Sequence, residues 1–336
     1  MRQTRRLRAR DIAVRDRAVD LLMLRVPVVD RRREDERAIA QEGAVGICAT
    51  DLEMIGGWER TGFPAIPGHE WSGTIDAVGP GVDEALLGRR CVAENVLADG
   101  REVGFEHPGG YGEYLLTEVA NVQPLPDDYS FATAALIEPL AVTVRALNRL
   151  GPVEGTTLIL GDGPIGLMLT MLLARRGSAP IAILGGREAR LALATEFGAS
   201  STANYHTMGD DLLAEVGRSL GSDFAVVIEA SGSPRAFHAA LELAAHEGKM
   251  LMLGDYSTAR AEFPLTHFLQ REVVLIPTNA SAGAWTEAVR LAVEDALPLD
   301  RLITHRLPAD RFEEGMDLVR SRRGDVLKVI LEWQAD

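Results

Sequence analysis

Three short segments of the sequence carry side chains of metal-ligand type: Cys48-Ala49-Thr50-Asp51-Leu52-Glu53, Gly68-His69-Glu70 and Glu138-Pro139-Leu140. A thiolate, an imidazole and a carboxylate, with a fourth position left for water or substrate, make the layout of a catalytic rather than a structural zinc. Each residue also has a blander reading. Cys48 alone reads as a small buried hydrophobe, His69 as a turn histidine with its bonds satisfied, and Glu70 as a surface acid. Their coincidence in one strand-and-turn region favours the metal. Cys91 follows an Arg-Arg pair on an expected strand and reads as core, while His107 reads as a surface histidine. His206, His238, His246 and His267 lack ligand spacing.

A second chemistry is written in Gly161, Gly163 and Gly166, a Gly-x-Gly-x-x-Gly that follows the apolar run TTLILG. Pro164 and Ile165 open the helix expected next. In that position the first glycine permits a tight turn, the second lets backbone approach a pyrophosphate, and the third lets helix and strand pack closely. The diphosphate then rests on the positive end of the helix. At the end of the following strand an acid would ordinarily bond the ribose 2′-hydroxyl, yet this chain has Gly185, Gly186 and Arg187. With no acid there, and with Arg187 and Arg190 to neutralise a phosphate, NADP(H) is favoured over NAD(H). Arg187 can also be read as a solvated first-turn residue, with Glu188 or a backbone group serving the ribose.

These groups need rigid elements to hold them. Residues 41 to about 125 alternate short apolar runs with glycines, which predicts a β-rich unit. Phe131 to Leu150 has helical spacing and should bridge to the next unit. Beyond it, strands at 156–161, 181–186, 224–230, 249–254 and 273–278 alternate with helices at 165–176, 188–197 and 234–245. Continuous apolar strands between helices predict an α/β fold with a doubly wound parallel sheet. Helices at 285–294 and 312–320 flank LITHRLP, and DVLKVILE closes the chain as a strand.

The length of 336 residues suggests about two domains. No apolar run reaches the roughly 20 residues that cross a bilayer, and no apolar signal core opens the chain. Two cysteines are too few for a disulfide framework, so the expected address is cytoplasmic. A net charge of -14 disfavours nucleic acid as a partner, and no membrane partner is expected. The first 40 residues stand apart, with 12 arginines against 7 acids interleaved without amphipathic order.

Taken in order, GICATDLE, IPGHEWSGTIDAVGPGV, GGYGEYLL, IEPLAV, GDGPIG and LITHRLP resemble the medium-chain zinc-dependent alcohol dehydrogenase family, in particular its sorbitol, threonine and cyclitol dehydrogenase-like branch. The resemblance runs from about residue 41 onward. It implies a GroES-like catalytic domain over 41–147, a Rossmann domain over 148–280 and a segment over 281–336 that returns to the first domain, behind an atypical basic leader at 1–40. It implies that Cys48 and His69 ligate one catalytic zinc, that Glu70 and Glu138 supply or exchange a carboxylate, and that Asp51 orients the ligand histidine. Thr50 would relay the substrate proton, with Glu53 as the next acceptor. The implied reaction moves a hydride between the nicotinamide and a secondary alcohol or ketone of a small polar substrate, such as a polyol, cyclitol or sugar. A homodimer or homotetramer is implied as well.

Three departures qualify the pattern. Glu53 stands where many members have a histidine. NVLADGREVGFEHP lacks the cysteines of a structural zinc. The opening strands before residue 41 are unrecognisable, which suggests a frame error or misassigned start. A zinc-free NADPH reductase of the same superfamily and a non-catalytic NADPH-binding protein remain as rivals.

Overall fold

The computed structural model describes residues 37–57, 65–178, 180–209, 211–256, 258–263 and 265–333. The basic leader and its frame hypothesis lie outside the described residues, except that strand β1 (Arg37–Ile47) opens inside the segment set apart. Its buried Ala38 and Ala40 sit in a run rich in arginine and glutamate, which hides the alternation.

β1 is the spine of the first lobe. Helix α1 (Ala49–Ile55) follows it, then β2 (Glu70–Val78), β3 (Arg90–Ala93), β4 (Tyr114–Glu118) and β5 (Val122–Pro124). A helical bridge comes next. The sequence predicts one helix from Phe131 to Leu150, whereas α2 (Phe131–Ala134) and α3 (Ile137–Leu150) are separate turns of chain. By length and composition alone the whole span could cross a membrane, but 78% of its apolar window is buried in protein. It is a core helix. Arg145 Nη1 donates to the Ala282 carbonyl at 2.6 Å and the Tyr129 hydroxyl to that of Ala292 at 3.3 Å, which ties this bridge to the segment that leaves the second lobe.

The second lobe alternates as its sequence dictates: β6 (Thr157–Leu160), α4 (Pro164–Arg175), β7 (Ile181–Gly185), α5 (Glu188–Glu196), β8 (Ser201–Asn204), α6 (Leu212–Ser219), β9 (Phe224–Glu229), α7 (Pro234–Leu243), β10 (Ala244–Met252), α8 (Leu265–Arg271), β11 (Val274–Pro277) and α9 (Trp285–Val293). β8, α6 and α8 stand beyond the elements expected from the sequence; β8 is a polar strand, and α6 and α8 are short. All six strands are parallel, in the order β11-β10-β9-β6-β7-β8. The chain winds outward from β6 in both directions, which makes the gap between β6 and β9 the switch point where such sheets bind ligands, at the carboxyl ends of the strands. Leu158, Ile159, Val227, Ile228, Met250 and Leu251 are fully buried, because helices cover both faces.

The chain then re-enters the first lobe as β12 (Ile303–Pro308), α10 (Phe312–Ser321) and β13 (Lys328–Glu332). β13 pairs antiparallel with β1, placing Ile47 opposite Val329 and Ala44 opposite Glu332. β2 flanks β1 on its other side, with Gly46 opposite Glu70. The first sheet thus reads β12-β13-β1-β2-β3-β5, with β4 also against β1.

Candidate active site

The metal-type residues converge where β1, β2 and α1 meet. Cys48 is the residue before α1, and Asp51 Oδ2 reaches back to accept from its backbone N–H at 2.9 Å. That bond satisfies a donor left over at the helix start. The same oxygen accepts from the Tyr111 hydroxyl at 2.7 Å. Asp51 Oδ1 faces His69 Nδ1 at 3.5 Å, and both atoms are buried without a hydrogen bond among the described residues. Burial alone would raise Asp51, but the His69 ring, the Cys48 N–H and the Tyr111 hydroxyl outweigh it and hold the carboxyl below its ordinary value. Burial likewise pushes His69 down, and Asp51 overcomes it to hold the ring well above its ordinary value. With Nδ1 turned to Asp51, Nε2 is the ring nitrogen left to act as a ligand.

One ligand atom each from Cys48, His69 and Glu70 lies within 4.8 Å of the other two. Sulfur, imidazole nitrogen and carboxylate oxygen are the donor set of zinc, and the two orphaned buried atoms are the pair that ligation through Nε2 would require. The residues present therefore fit that ion. Glu70 lies over Gly46, where a Cβ would stand 2.1 Å from Glu70 Oε2. Both Glu70 oxygens accept from Lys328 Nζ, at 2.7 and 2.6 Å, and the lysine also donates to the Ile47 carbonyl at 3.4 Å. Burial lowers Lys328, and Glu70 more than restores it.

Glu138, in the first turn of α3, stands outside that three-atom cluster. Burial pushes it up to about 7, with His69 pulling it back and Glu70 pushing it further. The Cys48 thiol points to Thr50 Oγ1 at 3.5 Å. Glu53, at the far side of α1, hydrogen-bonds Asp255 in the loop after β10, and burial followed by that acid raises it. This contact seats α1 against the carboxyl ends of the parallel strands.

The glycine loop has the expected shape. Gly161 sits at φ +122, and a Cβ on Gly166 would lie 1.9 Å from the Gly161 carbonyl oxygen. Gly163 precedes α4, Pro164 is its first residue and Ile165 packs partly against the core. No side-chain hydrogen bond caps that helix start among the described residues, an arrangement in which the N–H groups can receive an anion. Past Gly185, Arg187 donates to the Arg322 carbonyl and Arg190 to the Val326 carbonyl. Of the weaker candidates, Cys91 is buried in the β3 core and His107 pairs with Asp99 at 2.9 Å.

Sequence reading missed Tyr111, Asn95, Lys328, Asp162 and Asp255. Asn95 donates to the His69 carbonyl at 2.7 Å and accepts from Trp71 Nε1 at 3.1 Å, fixing the turn that carries the ligand. Each is far along the chain from what it touches; Asp162 and Tyr111 stand inside GDGPIG and GGYGEYLL, and Lys328 is a lysine in an apolar closing strand, but their partners follow only from the fold.

Residues 34–127 match the family model described as an alcohol dehydrogenase GroES-like domain, and residues 164–294 match that described as a zinc-binding dehydrogenase. L-threonine 3-dehydrogenase of Yersinia enterocolitica is 30% identical over 310 residues, 85% of this chain and 89% of that protein. D-arabitol-phosphate dehydrogenase of Enterococcus avium is 28% identical over 322 residues, 89% of this chain and 90% of that one. Galactitol-1-phosphate dehydrogenase from Escherichia coli superposes with a TM-score of 0.78 at 26% identity, covering 89% of this chain and 93% of that chain.

Proposed function

Because the chain belongs to the zinc-dependent medium-chain alcohol dehydrogenase family, and is an oxidoreductase of that kind, we propose that it interconverts a secondary alcohol and a ketone on a small polar substrate, a polyol, cyclitol or sugar derivative, with a nicotinamide dinucleotide. The observation that carries this is the convergence of Cys48, His69 and Glu70 on α1 and β2, beside the carboxyl ends of a dinucleotide-type sheet.

Cys48 and His69 would hold one zinc, and Glu70 and Glu138 would be the carboxylates that complete or exchange its shell. Bound there, zinc supplies Lewis acidity to the substrate hydroxyl and the nicotinamide supplies hydride exchange. The chain's own residues do the rest. Asp51 fixes the ring of His69 and its tautomer, and Tyr111 fixes Asp51. Thr50, whose hydroxyl is 3.5 Å from the thiol, would relay the substrate's hydroxyl proton, and Glu53, hydrogen-bonded to Asp255, would be the next acceptor. Lys328 offsets the charge that Glu70 brings into a buried pocket. Substrates named for threonine, arabitol phosphate and galactitol phosphate in the relatives share a secondary hydroxyl with polar neighbours, which supports the substrate class. A reducing cytoplasmic address suits a thiol ligand.

The test is a panel of polyols, cyclitols, sugar phosphates and simple alcohols with NAD⁺ and NADP⁺, with and without a chelator, alongside metal analysis of Cys48→Ser. About one zinc per chain, lost in the variant together with polyol oxidation, is expected. Turnover indifferent to metal removal would point to a zinc-free reductase, and dinucleotide binding without turnover to a sensor.

A further inference from the structure

We propose that Asp162 chooses between the two nicotinamide dinucleotides and chooses NAD(H): its carboxylate receives the adenosine ribose hydroxyls and shuts out a 2′-phosphate. This rests on the reading that the glycine loop binds a nicotinamide dinucleotide, and it reverses the preference that Arg187 and Arg190 suggest in the sequence.

In sheets of this kind the ribose is met by an acid at the end of the second strand. Here that strand, β7, ends in Gly185 and Gly186 and offers no side chain. The space is nevertheless filled by a carboxylate, which arrives from the glycine loop itself. A Cβ built on Gly185 would lie 2.6 Å from Asp162 Cβ and Cγ and 2.7 Å from its Oδ2. The missing side chain of the strand and the added side chain of the loop are complementary.

Asp162 is 9% exposed and firmly held. Its Oδ2 accepts from the backbone N–H groups of Gly186 and Arg187, each at 2.9 Å. Those two donors lie in the turn that leads into α5, where Arg187 is the N-cap, beside the space a 2′-phosphate would enter. They are already engaged by an internal anion. Oδ1 has only a 3.9 Å approach from Arg190 Nη1, so it keeps capacity to accept from a hydroxyl.

The arginines are engaged as well. Arg187 donates to the Arg322 carbonyl and Arg190 to the Val326 carbonyl, both in the segment that joins α10 to β13. They brace the two lobes. Burial holds Arg190 below its ordinary value, with Asp162 the nearest opposing influence. One buried donor, Arg190 Nε, is without a partner among the described residues. Each arginine spends a donor on the segment before β13, and what remains stands beside a fixed carboxylate, to which a 2′-phosphate would bring roughly two negative charges in a site of low dielectric.

Equilibrium titration of the purified full chain with NADH and with NADPH, read by nucleotide fluorescence in the absence of substrate, tests this. The wild type should bind NADH at least tenfold more tightly than NADPH. Asp162→Asn and Asp162→Ala should each move the ratio tenfold or more towards NADPH. The exchange Asp162→Gly with Gly185→Asp, which returns the acid to the strand, should restore the preference for NADH, and a melting temperature near wild type shows that the variants fold. Tighter NADPH binding by the wild type, or an unchanged ratio in the variants while both nucleotides bind, overturns the assignment and leaves the dehydrogenase reading standing. Failure of the wild type to bind either nucleotide overturns both.

Discussion

His69 illustrates how a ligand is made from its neighbours. Its ring is aimed by Asp51, and Asp51 is aimed by Tyr111 and the Cys48 N–H, so two residues outside the ligand set, with the backbone of a third, decide where Nε2 points. Asp51→Asn should therefore weaken zinc binding by about 10- to 100-fold without removing a ligand. Competition with a chromogenic chelator measures this, and an unchanged affinity would show that the turn alone orients the ring. Glu138 gives a second expectation. Its carboxyl is raised from 4.5 to about 7, so in the metal-free chain it keeps its proton where an unfolded glutamate loses one. The stability it contributes is full below about pH 4.5 and is lost as pH rises through about 7, a difference of ~3 kcal/mol. Urea unfolding of stripped protein across that window should show the slope in the wild type and not in Glu138→Gln. An equal slope in both would place the titration in another group. At this scale the sequence showed what spacing can carry. Cys48 and Asp51 are three positions apart and His69 and Glu70 adjacent, whereas Lys328 meets Glu70 only through the fold.

At the scale of elements, the second lobe was legible because its chemistry is local. Strands such as Thr157–Leu160 are continuously apolar, and the glycine pattern falls between a strand and a helix. β8, Ser-Thr-Ala-Asn, is half-buried and polar at the sheet edge, so no pattern announces it. The bridge reads as one helix because its apolar spacing continues through Ala135 and Leu136; both stay in the right-handed helical region, and the ladder only tightens there, where the Leu136 N–H donates to the Thr133 carbonyl. The loop and α4 make a sharp expectation. Gly166→Ala puts a methyl against the Gly161 carbonyl oxygen, which must separate strand from helix. Overpacking of this kind costs about 1–3 kcal/mol, and dinucleotide affinity should fall tenfold or more. Thermal melts and nucleotide titration read the two effects, and wild-type affinity would show that the loop adapts.

The whole molecule leaves one face unfinished. β11 is the outer strand of the parallel sheet, with Val274 52% and Leu275 36% exposed, and Leu265 and Leu269 on α8 beside it are each 74% exposed. An apolar edge strand with unpaired backbone groups invites a second strand, and a twofold axis would supply it from another copy. A dimer is the expected state by light scattering, and Val274→Lys with Leu275→Glu should shift it to monomer. A monomeric wild type at micromolar concentration would refute this. The clamp on Glu70 has a consequence for biosynthesis. Glutamate and lysine are 258 positions apart, and everything between them, the cofactor lobe included, must leave the ribosome before they can meet. At typical elongation rates the nascent acid waits roughly 13 to 50 s for its counterion. A chain that stalls before the closing strand would hold its ligand residues complete but leave the Glu70 carboxylate without its counterion.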